Sequence, residues 1–167
     1  AWSESSDFSI LTSEAAFAGS EWIGAITRKD AHLPEGRKYH GSELKKPEAK
    51  AAWAAVDTLA KKSIYLRREF YVAKKVKDAT AYVCGLGFYE FSLNGEKVGD
   101  SEFAPLWSDY DKSVYYNTYD VTSQVKKGGN AIGVLLGNGF YNLQGGRYLK
   151  LQNSFGAHTL RFRMVVN

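Results

Sequence analysis

Apolar and polar residues alternate along five stretches of the chain, most clearly in "SIYLRREFYVA" at residues 63–73. The other four stretches are residues 80–93, 113–121, 130–137 and 158–166. A period of two is typical of a β-strand whose successive side chains face opposite sides of a sheet. Because turns rather than long helices separate these stretches, the sequence predicts an all-β fold, an antiparallel β-sandwich.

The stretch "FYEFSLNGEKVGD" at residues 88–100 predicts a β-hairpin. Its centre, Asn94-Gly95, is the pair favoured in a two-residue turn whose central residues both need positive φ. Such a turn places Phe91 opposite Val98, on one face of the hairpin. We expect that face to be buried.

Helices are expected in two places. A proline opens the alanine-rich stretch 47–62, which predicts a short helix. Residues 120–130 predict one further turn of helix, with Asp120 as its cap and Gly128-Gly129 as its end.

The chain divides into a short tail and one domain. Residues 1–21 are rich in Ser, Ala and Glu and poor in large apolar groups, so we expect an N-terminal tail or linker. Residues 22–167 form the predicted sandwich domain, which begins with a short strand in "EWIGAI" at residues 21–26 and is long enough for a sizeable core. The chain stops directly after a predicted strand, which indicates a domain cut from a longer protein.

Composition and charge narrow the possible partners. Aromatic residues make up 14% of the chain, which suits a β-sandwich and a sugar-binding surface equally. The formal net charge is +4, but Lys and Arg crowd residues 45–77, while the candidate exposed aromatic residues lie at 107–141. Nucleic-acid binding requires basic and aromatic groups on one face, so a nucleic-acid-binding barrel is the weakest hypothesis. No apolar stretch approaches the roughly 20 residues of a membrane span, so no membrane partner is expected.

No motif predicts a catalytic residue or a metal site in this chain. There is no Gly-x-Ser-x-Gly motif and no Walker loop. The histidines, His32, His40 and His158, lack metal-ligand spacing with one another and with Cys84, the only cysteine. The sequence "SDYDK" holds two carboxylates, but the Gly and distal Glu of a helix-loop-helix calcium loop are missing. We expect the histidines to be structural or solvent-exposed.

Three ordered blocks carry a resemblance to a known family: "GLGFYEFSLNGEKVGD", "WSDYDKSVYYNTYDVT" and "NAIGVLLGNGFYN". Together they resemble the N-terminal β-sandwich domain of bacterial α-L-rhamnosidases, from about Ile64 to Asn142. Two positions depart from the family pattern. Leu106 stands where the family usually has Gly, and Phe140 stands where it often has Trp.

The resemblance implies a jelly-roll, galactose-binding-domain-like sandwich that serves as a non-catalytic accessory domain of a secreted or periplasmic glycoside hydrolase. In that family the hydrolytic carboxylates belong to a helical barrel downstream, which would be the main partner of this domain. Some related domains resemble carbohydrate-binding modules, a few of which hold the sugar diol with calcium, and others brace the barrel. Structural support and binding of rhamnose-containing carbohydrate are therefore both open, as is a calcium requirement. A stand-alone carbohydrate-binding module is the alternative.

Two loops contain the candidates for carbohydrate contact, which are Trp107, Asp109, Tyr110, Asn138, Tyr141 and Asn142. An exposed aromatic ring can stack on the apolar face of a pyranose, while Asp and Asn bond its hydroxyl groups. Each residue also has a structural alternative. We favour burial of Trp107 against the sandwich and turn roles for Asp109 and Asn138. Tyr141 suits the rim of a binding site or the core.

Overall fold

Two antiparallel sheets make up the body of the protein. The computed structural model describes residues 13–27, 29–33, 45–143 and 154–167. In chain order the elements are α1 (Ser13–Ala16), β1 (Trp22–Ile23), α2 (Pro47–Ala54), a 3-10 helix (Thr58–Lys61), β2 (Ile64–Val72), β3 (Ala79–Leu86), β4 (Phe88–Leu93), β5 (Glu96–Lys97), β6 (Asn117–Asp120), β7 (Gly128–Gly137) and β8 (Thr159–Val166). The strand orders are β1-β8-β3-β6 and β2-β7-β4-β5, and every pairing is antiparallel. The predicted all-β sandwich is confirmed.

The core lies between the sheets and follows the period of two. From Ala79 to Val83 of β3, buried residues alternate with half-buried ones, and on β4 the buried residues alternate with half-buried or exposed ones. The main cluster joins both sheets, and its largest members include Phe91, Leu93, Val83, Leu136 and Leu160. At about 25 cal/mol per Å² of apolar area removed from water, this shared layer is the main source of stability.

The hairpin forms as predicted. Asn94 and Gly95 adopt φ values of 55° and 87°, as a two-residue turn between twisted strands requires. Phe91 and Val98 are both buried, and the Val98 amide donates to the Phe91 carbonyl at 2.8 Å. The predicted buried face is therefore confirmed.

Both helix predictions need correction. The helix predicted over residues 47–62 stops at Ala54, and a separate 3-10 helix follows it. The turn predicted at residues 120–130 does form with Asp120 as its cap, because the Thr122 amide donates to Asp120 Oδ1 at 2.9 Å and the Val125 amide to the Val121 carbonyl at 3.1 Å, but its predicted end is wrong. Gly128 and Gly129 belong to β7, because they pair with Val72 and Tyr71 of β2. The expected helix end is thus the start of a long central strand.

Two strand predictions were too long. The strand predicted at residues 21–26 is reduced to the two residues of β1, and that predicted at residues 113–121 is reduced to β6. Part of the predicted tail packs on the sandwich, because Phe17 is buried and its ring contacts Tyr82 and Tyr116 at 6.4 and 5.3 Å. Residues 1–12 lie outside the described residues, so the domain boundary stays a prediction.

The histidines occupy different environments. His158 is buried just before β8, as a structural histidine would be, and His32 is exposed. His40 lies outside the described residues. Within the described part of the chain, no helix is long and apolar enough to cross a membrane.

Candidate functional site

Two loops meet at one end of the sandwich and carry all six predicted contact residues. The first loop, residues 98–116, joins the hairpin to β6, and the second, residues 138–143, follows β7. The backbone amide of Tyr89 donates to the carbonyl of Ala104 at 2.7 Å. Since β4 begins opposite the end of β7, this bond holds the first loop beside the second.

The first loop presents large apolar side chains to solvent. Phe103, Leu106 and Trp107 are 71%, 78% and 58% exposed, whereas Ala104 and Pro105 between them are buried. We call these three side chains the apolar loop surface. Phe103 adopts a φ of 56°, a region that bulky residues rarely occupy and that costs conformational energy. The loop therefore holds an apolar residue outward in a strained conformation.

Aromatic rings support this surface from below. The Phe88 ring lies 5.5 Å from the Phe103 ring and 5.3 Å from the Phe140 ring, between centroids. Such tilted and edge-to-face pairs contribute about 0.5–1.5 kcal/mol each beyond area burial. The apolar loop surface is thus anchored to the first residue of β4 and to the loop after β7.

A second ring cluster ties the two loops together. Tyr110 packs edge-on against Tyr141 and Phe155, each at 5.2 Å between centroids, and Tyr141 stacks on Phe155 at 5.9 Å. Burial, together with the neighbouring Tyr141 phenol, raises the pKa of Tyr110 above its usual range. Both tyrosines are half-buried and pack within this cluster.

The two asparagines of the second loop bond to the protein interior. Asn142 is 1% exposed, and its Nδ2 donates to the Ala60 carbonyl at 2.6 Å and to Asn138 Oδ1 at 2.9 Å. Its Oδ1 accepts from the Ser154 hydroxyl at 2.7 Å. Asn138 Nδ2 donates to the Lys61 carbonyl at 3.1 Å. These amides join the 3-10 helix, the end of β7 and the segment before β8.

The six candidates therefore separate into two groups. Trp107 and Asp109 are exposed, while the other four take part in internal contacts, namely Tyr110, Asn138, Tyr141 and Asn142. The favoured burial of Trp107 was wrong. The turn role of Asp109 is confirmed, because its Oδ1 accepts from the Asp111 amide at 3.4 Å and its carbonyl accepts from the amides of Lys112 and Ser113. Its carboxylate also pairs with Lys112 at 3.1 Å. Carbohydrate contact by any of the six stays a prediction.

Several residues of this end were absent from the sequence-based candidates. They are Phe103, Leu106, Phe140 and Phe155. Leu106 and Phe140 carried a signal, since the resembling family usually has glycine at the first position and often tryptophan at the second. Position alone could not show that the Leu106 side chain faces solvent.

The described residues of this site form an exposed apolar surface rather than an assembled set of reactive groups. Its exposed side chains are aromatic and aliphatic, with Asp109 paired to a lysine at the margin. Among the described residues, no group of three His, Cys, Asp or Glu side chains could hold a metal ion. An exposed apolar surface of this kind marks a contact with a protein partner or a ligand.

Comparison with known proteins decides the family. The family model described as the alpha-L-rhamnosidase N-terminal domain matches residues 74–167, more than half of the chain. The chain belongs to this family. The resemblance found from three sequence blocks is thereby confirmed, and the match extends beyond Asn142 to the last residue.

Individual relatives place the chain within larger proteins. An alpha-L-rhamnosidase of Formosa agariphila is 39% identical over 141 residues, which are 84% of this chain and 14% of that protein. The crystal structure of an Aspergillus terreus α-L-rhamnosidase is 40% identical and aligns with a TM-score of 0.58, over 62% of this chain and 12% of that one. The Streptomyces avermitilis α-L-rhamnosidase, solved in complex with L-rhamnose, is 40% identical with a TM-score of 0.56, over 62% of this chain and 10% of that one. This chain therefore spans a small part of the length of each relative.

Proposed function

We propose that the chain is a non-catalytic accessory domain of an α-L-rhamnosidase and that it braces the catalytic barrel of the same polypeptide. Two findings support this proposal: the match to an N-terminal domain and the small share of each relative that the chain covers. A secreted or periplasmic location, implied by the same family, stays a prediction.

The apolar loop surface is the observation that carries the proposal. Three large side chains stand out from a loop whose intervening residues are buried. Covering one such side chain contributes about 1.5–3 kcal/mol, so covering all three offers several kcal/mol before the entropy of association is subtracted. Because the loop is already held in place by the bond from Tyr89 to Ala104, little further ordering is needed when a partner covers it.

The docking role can be tested in the longer enzyme that carries this domain. Leu106→Ser combined with Trp107→Ser should lower the melting temperature of that enzyme and leave the isolated domain close to the parent in stability, since both side chains are exposed. Tyr71→Ser is the matched control, since Tyr71 is an exposed aromatic residue on β2, outside the apolar loop surface. An equal change of melting temperature in the double variant and the control would refute the docking role.

Carbohydrate binding is the second candidate function, and the exposed Trp107 ring beside Asp109 favours it. A rhamnose unit could stack on the indole, with the carboxylate accepting a hydroxyl hydrogen bond. The relative from Streptomyces avermitilis was solved with L-rhamnose, which makes this sugar the first probe. The domain should be titrated with L-rhamnose by calorimetry, with and without calcium.

Two matched variants separate the candidates. Sugar stacking requires the indole, so Trp107→Ala should abolish the heat of binding while Leu106→Ala leaves it unchanged. Docking uses both side chains, so both variants should weaken domain association in the longer enzyme. If millimolar rhamnose gives no heat of binding both with and without calcium, sugar binding is refuted. The docking hypothesis would be unaffected by that result.

A further inference from the structure

A cleft opens between the two sheets on the side where β2 faces β8 and β1. Its volume is about 540 Å³, and residues 18–21 also line it. The walls come from the inward faces of both sheets and include Leu66, Ile132, Val134, Leu160 and Phe162. The apolar loop surface contributes no residue to this lining. A pocket with apolar walls and a few placed polar groups is the usual form of a small-molecule site.

Arg68 interrupts the inward face of β2 at this cleft. The inward positions on either side of it are apolar, Leu66 and Phe70, and both pack against the core. Arg68 stands opposite Ile132 in the register and lines the cleft. The alternation of the strand therefore places a cation where an apolar residue is expected.

The Arg68 guanidinium has no partner within the part of the chain that the structure describes. It makes no hydrogen bond or ion pair there, in contrast to the two other arginines of the lining. Arg67 pairs with Glu69 at 2.5 Å, and Arg163 donates to the carbonyls of α1 residues at 3.0 and 3.4 Å. Only Arg68 combines an inward position with a free charge.

We propose that this cleft binds a small carboxylate carried on an apolar body. The apolar body occupies the space between the sheets, and the carboxylate pairs with Arg68 at the mouth. Arg68 is exposed at the mouth of the cleft, and a guanidinium fits a carboxylate with two parallel hydrogen bonds. The positive charge favours an anionic group, and the apolar walls favour an apolar body. Neutral sugars have neither, so the cleft selects against them.

Edge protection is the competing explanation for Arg68. An inward-pointing charge on an edge strand discourages pairing between molecules, and β2 is the edge of its sheet. That role needs only a positive charge, so lysine would serve as well as arginine. Two-point pairing with a carboxylate uses the planar guanidinium, so lysine would serve less well.

Glu21 provides an independent check on the charge argument. It is exposed and also lines the cleft, where its carboxylate would repel that of the ligand. Removal of this charge in Glu21→Gln should therefore strengthen binding. Neither edge protection nor purely apolar binding predicts that change.

The test is a nuclear magnetic resonance titration of the chain with 3-phenylpropanoate and with decanoate. The neutral amide 3-phenylpropanamide is the matched control ligand. For ligands of this size we expect a dissociation constant on the order of a millimolar, tighter for decanoate because it buries more apolar area. The amide signals of residues 66–70 and 160–162 should shift, and the neutral amide should bind about tenfold more weakly.

Protein variants complete the test. Arg68→Gln should weaken 3-phenylpropanoate binding about tenfold, and Arg68→Lys should lie between it and the parent. Lys127→Gln removes one exposed positive charge outside the cleft and should change nothing. Binding that is equal for acid and amide, unchanged in Arg68→Gln, or undetected at ten millimolar would each overturn the proposal. Retained affinity in Arg68→Lys together with self-association of Arg68→Gln would establish edge protection instead.

Discussion

Asn142 holds together the end of the sandwich that carries the candidate site, and its replacement by alanine should be strongly destabilising. Its side chain is buried, and three hydrogen bonds join it to Ala60, Asn138 and Ser154. Alanine removes all three and leaves the Ala60 carbonyl and the Ser154 hydroxyl without this partner. A buried polar group that loses its partner costs more than the net value of the bond.

The magnitude follows from the three bonds. At about 1 kcal/mol net per hydrogen bond, their loss amounts to about 3 kcal/mol, and unsatisfied partners would add to it. A chain of this size shifts its melting temperature by about 2–4 °C per kcal/mol, so Asn142→Ala should melt roughly 6–12 °C lower. Ser154→Ala removes the bond to Asn142 and should cost about 1 kcal/mol.

Urea unfolding followed by tryptophan fluorescence measures these changes. The double variant Asn142→Ala with Ser154→Ala should cost less than the sum of the single variants, because they share one bond. Asn117→Ala on β6 is the control and should stay within about 0.5 kcal/mol of the parent. A loss below about 1 kcal/mol for Asn142→Ala would refute the idea that these bonds hold the loop end.

Three further predictions concern other parts of the fold. His158 is 2% exposed, and burial, partly offset by the backbone of Lys62, lowers its pKa from the usual value near 6.5. The neutral form is therefore favoured in the folded state, so this contribution to stability is complete above about pH 6.5 and is lost as the pH falls below it. Between pH 7.5 and 4.5, the free energy of unfolding should depend less on pH in His158→Phe than in the parent. The same pH dependence in both proteins would contradict this. A Cβ on Gly133 would collide with the hydroxyl groups of Tyr65 and Ser92, so Gly133→Ala should cost about 1 kcal/mol. Tyr65→Ser should restore part of this loss, and additive losses in thermal melts would count against the collision with Tyr65. Asn94→Gly keeps the turn but loses the side-chain hydrogen bonds to Asn130 and to two backbone groups, so it should lower the free energy of unfolding in urea by about 2 kcal/mol. Asn94→Ala should cost more, because alanine is also strained at the positive φ of this position.

The hairpin could be predicted because its determinants are local. The Asn94-Gly95 pair selects the turn, and the turn then fixes which residues share a face. By the same local rule, Tyr116 and Tyr119 fall on opposite faces, and they pack in two different clusters. Strand existence and facing are thus visible in short windows of sequence.

Long-range pairing explains the errors. Gly128-Gly129 looks locally like the end of a helix, but β2 pairs with these residues from more than fifty positions earlier in the chain. Such pairing leaves no trace in the window that predicts a helix end. As a result, β7 begins at Gly128, two residues before the predicted strand at residues 130–137.

The sequence named the six candidate residues but did not show which of them are buried. It also left open whether the loops at residues 107–110 and 138–142 meet, which the Tyr110–Tyr141 ring contact now shows. Asn142 reads as a rim residue because asparagine is usually exposed, yet its partners at Ala60 and Ser154 are distant in sequence. Trp107 was expected to be buried because it is large and apolar, yet it is exposed.

The position of the apolar loop surface depends on the buried hydrogen bonds of Asn142. The Asn142 bonds fix the loop after β7, where Phe140 supports Phe88, which in turn contacts Phe103 of the apolar loop surface. A partner that covers this surface therefore meets a loop that is already ordered, which lowers the entropy cost of docking. It follows that Asn142→Ala should weaken association with the rest of the enzyme although Asn142 itself is buried. If association were unchanged while the isolated domain lost stability, the loop surface would be held independently of these bonds.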